Sequence, residues 1–338
     1  MIGDRIAGLS LELSSRCQLE CPLCVRRAIA PDSFNHFLSP ETLAALLPHL
    51  SELESLDLTG WGEPLLHPHF PDFLAQIRRH FSGRISFTTN GLLLRIELME
   101  AAIEHRVDVI CVSVDAARPE TYGQVRQGGD FGKLVTLLRQ FLCLRPAVGA
   151  ERPSLFATYL LRRESLEELP AFVLWARDLG LQGVVFQQLT GVFSPRHVQQ
   201  ITYTDFFPTD FDPAILKHHL SQVRRLARPG FLVLGPETIH RQRIGNCGAF
   251  DLQKPFVAAS GELSPCCVMA YPTDWMRKAG QVERTRVLSF GNVRDLPLPR
   301  LWLQPDYQAL RQLLRAGGHP AACGDCISLY LTPAEGAP

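Results

Sequence analysis

The chain has 338 residues, 46% of them hydrophobic and 20% charged, with 34 basic side chains balanced by 34 acidic ones. That is enough apolar material for one large core or two modest ones, and a net charge of zero with no basic block excludes a dedicated nucleic-acid binder. No apolar run approaches the roughly 18 residues that span a membrane, and no secretory pattern opens the chain. The expectation is therefore a cytoplasmic protein whose ten cysteines serve as metal ligands or buried thiols rather than disulfides.

In chain order, strand-like runs fall at 6–13, 54–60, 84–91, 107–115, 154–161 and 181–189. Helix-like stretches at 40–50, 69–81, 95–105, 132–145 and 166–180 separate them. Ser39 and Pro40 open the first helix with a cap and a first-turn proline. Arg26-Arg27, Arg78-Arg79 and Arg224-Arg225 read as solvated faces. Strand alternating with helix predicts parallel strands joined by right-handed crossovers. Six such units are too few for a closed eight-unit barrel and fit an open, curved one, with functional groups at the carboxyl ends of its strands.

Directly after the first strand comes "CQLECPLC", with Cys17, Cys21 and Cys24 spaced Cys-x-x-x-Cys-x-x-Cys. Thiolates bind iron–sulfur clusters and zinc; a [4Fe–4S] cluster has four irons, so three thiolates leave one iron open. This motif, its place after the first strand and the repeated units resemble the radical S-adenosylmethionine superfamily, in which the open iron is chelated by the amine and carboxylate of S-adenosylmethionine. The resemblance covers about residues 6–190 and implies a partial (β/α)6 barrel. "TGWGEP" is similar to the element that holds the ammonium, with Gly60, Gly62 and Glu63. "TTNG" ends the third strand in the family manner, and "VSVD" puts Ser113 and Asp115 near the ribose. Arg126 lies in the run that follows and is a further candidate for the cosubstrate. Before the last cysteine, where the family often has an aromatic residue, stands Leu23, an apolar cover for the adenine.

From about 191 the texture changes to irregular chain, a helix-like 213–228 and a strand-like 230–236. The first domain is accordingly expected to span 1–212, and 213–338 to form a small α+β domain. Cys247, Cys266-Cys267, Cys323 and Cys326 follow, four of which suffice for one tetrathiolate site, zinc or iron–sulfur. "GELSPCC", a Gly-Asn element, a Trp302 helix and "CGDC" are similar to the SPASM domain in its shortened, single-cluster form, often called twitch. The resemblance implies an auxiliary [4Fe–4S] cluster on Cys247, Cys266, Cys323 and Cys326, with Cys267 as a spare that replaces Cys266 or lines the cavity. Asp251, Lys254 and Glu262 are candidate acids or bases beside it. Cys111 in the fourth strand and Cys143 on a helix read as small core hydrophobes. His67 and His69 read as loop or cap residues, Trp302 as a staple between its helix and the auxiliary domain, and Trp61 as a neighbour of the cosubstrate loop.

The implied activity is reductive cleavage of S-adenosylmethionine to a 5′-deoxyadenosyl radical that abstracts a substrate hydrogen. An auxiliary cluster with four cysteines would take an electron from the substrate; one with an open site would bind it. Reduced ferredoxin or flavodoxin is the implied electron donor, and the substrate is a small molecule, a cofactor or a peptide. Peptide modifiers of this kind commonly carry a leader-binding module, expected here to be a separate protein. Stretches such as "RPSLFATYLLRRESLEELPAFVLWARDLG" most resemble maturases of tungsten or molybdenum cofactors. Peptide maturation and alcohol oxidation remain alternatives, as does an electron carrier or scaffold without turnover.

Overall fold

The structure is a computed structural model that describes residues 5–31, 34–207, 209–244, 247, 253–276, 280–323 and 326–332. Seven parallel strands lie side by side in chain order: β1 (Gly8–Leu11), β2 (Ser55–Asp57), β3 (Arg84–Thr89), β4 (Val109–Ser113), β5 (Ser154–Leu160), β6 (Gly183–Gln187) and β7 (Leu232–Leu234). Strictly sequential parallel strands with crossovers of one hand put every connecting helix on the same face, which curves the sheet toward a barrel. The two edge strands of this sheet do not pair with each other, so the barrel is open.

The connecting helices are α1 (Pro40–Leu46), α2 (Phe70–His80), α3 (Ile96–Glu104), α4 (Pro119–Val125), α5 (Phe131–Ala147), α6 (Leu169–Leu179), α7 (Pro195–Val198) and α8 (Pro213–Arg224). The cap read from sequence at α1 is present: Ser39 Oγ accepts from the Thr42 N–H at 3.2 Å. Strand alternation sorts the two faces. On β4 and β5, Ile110, Val112, Leu155, Ala157 and Tyr159 join the main core beneath the helices. Val109 and Phe156 instead meet Val185 inside the barrel, with Cys111 packed against them. Cys111 is thus the small apolar filler expected, and burial pushes its thiol up to about 12.

Cys143 is a correction: it is exposed. The buried stripe of α5 is Leu134, Leu138 and Phe141, and a residue two past Phe141 is turned about 200° away from it. Arg78 departs from the solvated reading as well, because its guanidinium donates to the carbonyls of Phe81, Gly83, His105 and Arg106 at 2.9–3.0 Å and so ties the end of α2 to the loop before β4.

The helix and strand read beyond residue 191 form a further unit of the barrel. Residues 213–234, assigned from sequence to the second domain, supply α8, which packs on α6, and β7, which pairs with β6 in the register Gly183↔Leu232. At the opposite edge, β9 (Phe256–Val257) runs parallel to β1 and β10 (Leu263–Ser264) antiparallel to β9, so the C-terminal segment extends the barrel sheet past its first strand. Two small ladders complete the structure, β11 (Asp274–Met276) with β12 (Val282–Arg284) and β8 (Thr238–Ile239) with β13 (Leu331–Thr332). Helices α9 (Leu298–Trp302) and α10 (Pro305–Arg315) follow β12. Trp302 is only 4% exposed and belongs to the main core with Ile6 and Leu53, under an Arg311 guanidinium 3.9 Å from its ring centroid. It faces Ile6 and Leu53 of the barrel and meets the Tyr307 ring of α10 edge-on at 4.9 Å, so it joins α9 to both. No helix among the described residues is long and apolar enough to cross a membrane.

Candidate functional site

Cys17, Cys21 and Cys24 occupy the loop that leaves β1 at its carboxyl end, as expected. A turn from the Cys24 N–H to the Cys21 carbonyl (3.2 Å) holds two of them, while the Leu19 N–H points at Cys17 Sγ from 3.5 Å. Burial pushes the Cys17 thiol up to about 11 and raises Cys21 too, and the nearby Cys24 raises both. Two guanidinium groups face this concentration of thiols. Arg126 Nη1 lies 4.0 Å from Cys21 Sγ, and the Nε atoms of Arg26 and Arg126 are buried without a hydrogen-bond partner among the described residues.

Cys21 and Cys24 open onto a cavity of about 290 Å³ at the carboxyl ends of the strands. Ser113 and Asp115 from β4 line it, with Arg126 from the end of α4. Asp115 holds a left-handed backbone (φ +60°), accepts from the Leu160 N–H at 2.7 Å and pairs with Arg126 Nη2 at 2.5 Å. Burial works against the charge on Arg126, but Asp115 and Cys21 outweigh it and hold the guanidinium above its ordinary value. Polar residues that sequence reasoning missed share these walls: Thr158 near the end of β5, Arg162 just beyond that strand, Gln187 at the end of β6 with Gln188 and Thr190 after it, and Glu237. Thr158 and Gln187 were legible in principle, being polar residues in the inward register at the close of apolar strands.

"TGWGEP" is built to press against the loop from β1. A methyl group on Gly62 would lie 2.3 Å from the Ser14 carbonyl oxygen and 2.4 Å from that of Arg16, both backbone, and one on Gly60 would collide with the Glu12 side chain. The Glu63 N–H donates to the Arg16 carbonyl at 2.6 Å. The Glu63 carboxylate turns into the protein: Oε1 accepts from Thr89 Oγ1 (2.7 Å) and Leu65 N (3.1 Å), and Oε2 from Asn90 N (2.7 Å). It thereby locks "TTNG" beside Cys17, whose thiol Asn90 Nδ2 approaches at 3.8 Å. Burial raises the Glu63 carboxyl from 4.5 to about 7 against the pull of these donors. The folded state therefore binds the Glu63 proton more tightly than the unfolded chain, and this group's contribution falls as pH rises from about 4.5 to about 7. Glu63→Gln is expected to remove that slope, seen as a wild-type minus variant melting-temperature difference that decreases across this window. A difference that rises or stays flat contradicts the raised carboxyl.

Cys247, Cys266, Cys267, Cys323 and Cys326 all line a second cavity, also about 290 Å³ and largely apolar, with Phe206, Phe207, Met269 and Met276 among its walls. Burial raises Cys266 well above its ordinary value, and the closeness of Cys267, Cys326 and Cys247 raises it further. Among the described residues no three His, Cys, Asp or Glu groups gather on one point as ligands of a single ion do. All five thiols border this one cavity. Of the acid–base candidates, Asp251 lies outside the described residues. Lys254 and Glu262 are not among the residues that line this cavity, which corrects the expectation. Lys254, just before β9, pairs with Asp57 of β2 at 3.2 Å, and Glu262, in the turn between β9 and β10, accepts from Ser289 Oγ and Asn292 Nδ2 in the segment between β12 and α9.

The two cavities share a partition of Val25, Trp61, Thr190 and Gly191. Trp61 Nε1 donates to the Cys267 carbonyl at 3.0 Å, so the loop after β2 is fastened to the loop of the second thiol set. Beneath it is Glu12, which sequence reasoning passed over. Fully buried, its carboxylate accepts from Trp61 N (2.8 Å), Ala259 N (3.1 Å) and the Tyr271 hydroxyl. His67 is structural, as read: Nε2 meets the Leu38 carbonyl at 2.8 Å and Nδ1 accepts from the His69 N–H, while His69 caps α2.

Residues 11–185 match the Radical SAM superfamily, and residues 247–327 match SPASM, an iron–sulfur cluster-binding domain. The chain belongs to the radical SAM superfamily. This radical SAM chain is 25% identical over 327 residues, 94% of its length and 86% of the relative's, to the tungsten-containing aldehyde ferredoxin oxidoreductase cofactor-modifying protein of Pyrococcus furiosus. A probable GTP 3′,8-cyclase of Methanocaldococcus jannaschii is 25% identical over 181 residues, 53% of this chain and 57% of that protein. Among solved structures, Streptococcus suis SuiB bound to S-adenosylmethionine superposes with a TM-score of 0.67 at 15% identity, covering 96% of this chain and 71% of that one. anSMEcpe with bound S-adenosylmethionine gives 0.62 at 14% identity, covering 96% and 87%. At these identities the likeness is one of fold.

A radical SAM protein with a SPASM domain carries [4Fe–4S] clusters and S-adenosylmethionine, and the two sets of thiols fit them. Thiols made hard to ionise by burial release their protons when iron takes up the charge. The unpartnered guanidinium nitrogens beside Cys21 suit a centre of negative charge, and a cluster with one thiolate per iron suits four of the thiols that border the second cavity.

Proposed function

We propose that this protein is a cofactor maturase: a radical SAM oxidoreductase that modifies a tungsten- or molybdenum-bearing cofactor or its precursor. The observation that carries this reading is similarity to a cofactor-modifying protein along 94% of the chain. The cluster and S-adenosylmethionine, when bound, supply a 5′-deoxyadenosyl radical that takes a hydrogen atom from the substrate. Cys17, Cys21 and Cys24 hold the first cluster with one iron left for the cosubstrate, and Cys247, Cys266, Cys323 and Cys326 hold the second. Cys267 lines the cavity beside them, its carbonyl taken by Trp61.

The remaining work falls to residues of this chain. Gly60 and Gly62 allow the close approach that brings the loop after β2 onto the cysteine loop, and Glu63 holds "TTNG" beneath it. Ser113, Asp115 and Arg126 bind the cosubstrate's polar groups, with Arg126 kept charged and oriented by Asp115. Leu23 and Leu160 give the same cavity apolar cover, which keeps water from a reactive carbon. Glu237, held through one oxygen by the Gln188 N–H at 3.0 Å, presents a carboxylate to the substrate. A reduced ferredoxin or flavodoxin delivers the electron.

Anaerobic reconstitution is expected to give about two [4Fe–4S] clusters per chain. With reductant, S-adenosylmethionine and a deuterium-labelled pterin cofactor, mass spectrometry should find deuterium in the 5′-deoxyadenosine. Iron for one cluster together with stoichiometric zinc would overturn the second cluster, and clusters without any cosubstrate cleavage would make the protein a carrier.

A further inference from the structure

Next to the first cavity, and sharing Leu23, Val125 and Arg162 with it, is a larger one of about 550 Å³ that the chemistry above does not use. Three guanidinium groups line it, those of Arg27, Arg162 and Arg196, against one carboxylate, Glu164. Arg162 is 2% exposed, yet its Nε has no hydrogen-bond partner among the described residues. Its Nη1 meets Glu164 at 2.7 Å, and its Nη2 reaches the Asp115 carbonyl only at 3.5 Å. Arg27 and Arg196 are exposed at the mouth, and among the described residues Arg27 has only a loose pair with Glu20 at 3.5 Å. His197, also in the wall, is buried and its pKa is lowered by that burial, so the positive charge belongs to the arginines.

A buried cation with an unused donor is costly unless an anion completes it. Three planar forks around one chamber suit the several oxygens of a phosphate group better than a single carboxylate. We propose that this cavity is a phosphate subsite that anchors a phosphorylated small-molecule substrate, leaving its reacting carbon to pass Leu23 and Val125 into the first cavity. The inference deepens the function proposed above and rests on its reading of the first cavity as the cosubstrate chamber. The exposed arginines draw the anion in and set the salt dependence, while Arg162 fixes it at the boundary between the chambers.

The probe is inorganic pyrophosphate, titrated calorimetrically into the anaerobic holoprotein saturated with S-adenosylmethionine. Expected is saturable binding of one pyrophosphate per chain that weakens with added salt. Arg196→Glu should weaken it by about tenfold, and the Arg27→Glu/Arg196→Glu pair by more. Both positions are exposed, so these variants should fold, keep S-adenosylmethionine affinity within about twofold and still form 5′-deoxyadenosine. Absence of saturable pyrophosphate binding, or affinity unchanged in the double variant, overturns the subsite while cosubstrate cleavage keeps the functional reading intact. Loss of S-adenosylmethionine affinity in step with that for pyrophosphate also overturns it, by making the cavity part of the cosubstrate site. Pyrophosphate binding that follows the arginines in a protein unable to cleave S-adenosylmethionine supports the subsite and sinks the functional reading instead.

Discussion

Replacing Cys17, Cys21 and Cys24 together by Ala is expected to reduce 5′-deoxyadenosine formation to that of a protein-free control and to remove about half of the bound iron. The remaining iron should retain a [4Fe–4S] signature, because the second set of thiols lines a separate cavity behind the partition of Trp61, Val25, Thr190 and Gly191. Little stability should be lost, since all three cysteines are only half-buried and sit in a loop outside the sheet. Cys266→Ala gives the converse: loss of the second centre with cosubstrate cleavage retained. Iron counts, electron paramagnetic resonance and product chromatography on the two variants separate the sites. Cleavage that survives the triple variant, or a Cys266→Ala protein that loses both centres at once, would contradict this division of labour.

The thiol loops were legible because a ligand set close together in sequence stays close together in space. Cys17, Cys21 and Cys24 need only one turn to face the same way, and their place after β1 fixes the end of the barrel they face. The six alternating units were legible for a similar reason, each burying a local apolar pattern. β7 was legible as a strand at 230–236 but not as part of the barrel, since its place in the chain assigns it to the second domain; only its pairing with β6, across the irregular stretch and α8, makes it the seventh strand. β9 and β10, two residues each, leave no periodicity to read. Cys143 misled because apolar residues surround it in sequence, whereas burial on α5 follows the angular spacing of Leu134, Leu138 and Phe141.

Groups whose partners come from distant segments were the least visible. Glu12 is separated in sequence from Trp61 by 49 positions, from Ala259 by 247 and from Tyr271 by 259. Read alone, "LSLELSS" offers a glutamate within a strand pattern and nothing to hydrogen-bond it. Arg162 and Glu237 were hidden in the same way, since what marks them is a shared cavity wall.

Glu12 carries the second large effect. Its carboxylate unites three segments: the end of β1, the loop after β2 through Trp61, and the C-terminal segment through Ala259 and Tyr271. Glu12→Ala would bury the N–H groups of Trp61 and Ala259 and the Tyr271 hydroxyl without their acceptor, and leave a void beside Gly60. Each orphaned buried donor costs about 1–3 kcal/mol, so the expected loss is about 3–5 kcal/mol, less any donor that water rescues. Tyr271→Phe removes one bond and keeps the ring against Phe34, and should cost about 1 kcal/mol. The urea midpoints of the two apoproteins give this ranking. Because Trp61 also walls both cavities and donates to the Cys267 carbonyl, loosening it should reach further than stability. S-Adenosylmethionine affinity should fall and the resonance line shape of the second cluster should change in the same Glu12→Ala protein, at temperatures where it remains folded. Trp61→Phe, which keeps the wall but loses the ring N–H, should reproduce the line-shape change while leaving most of the stability intact. If Glu12→Ala lowers only the urea midpoint, with cosubstrate affinity and cluster spectrum unchanged, Glu12 fastens the fold and does not couple the two chambers.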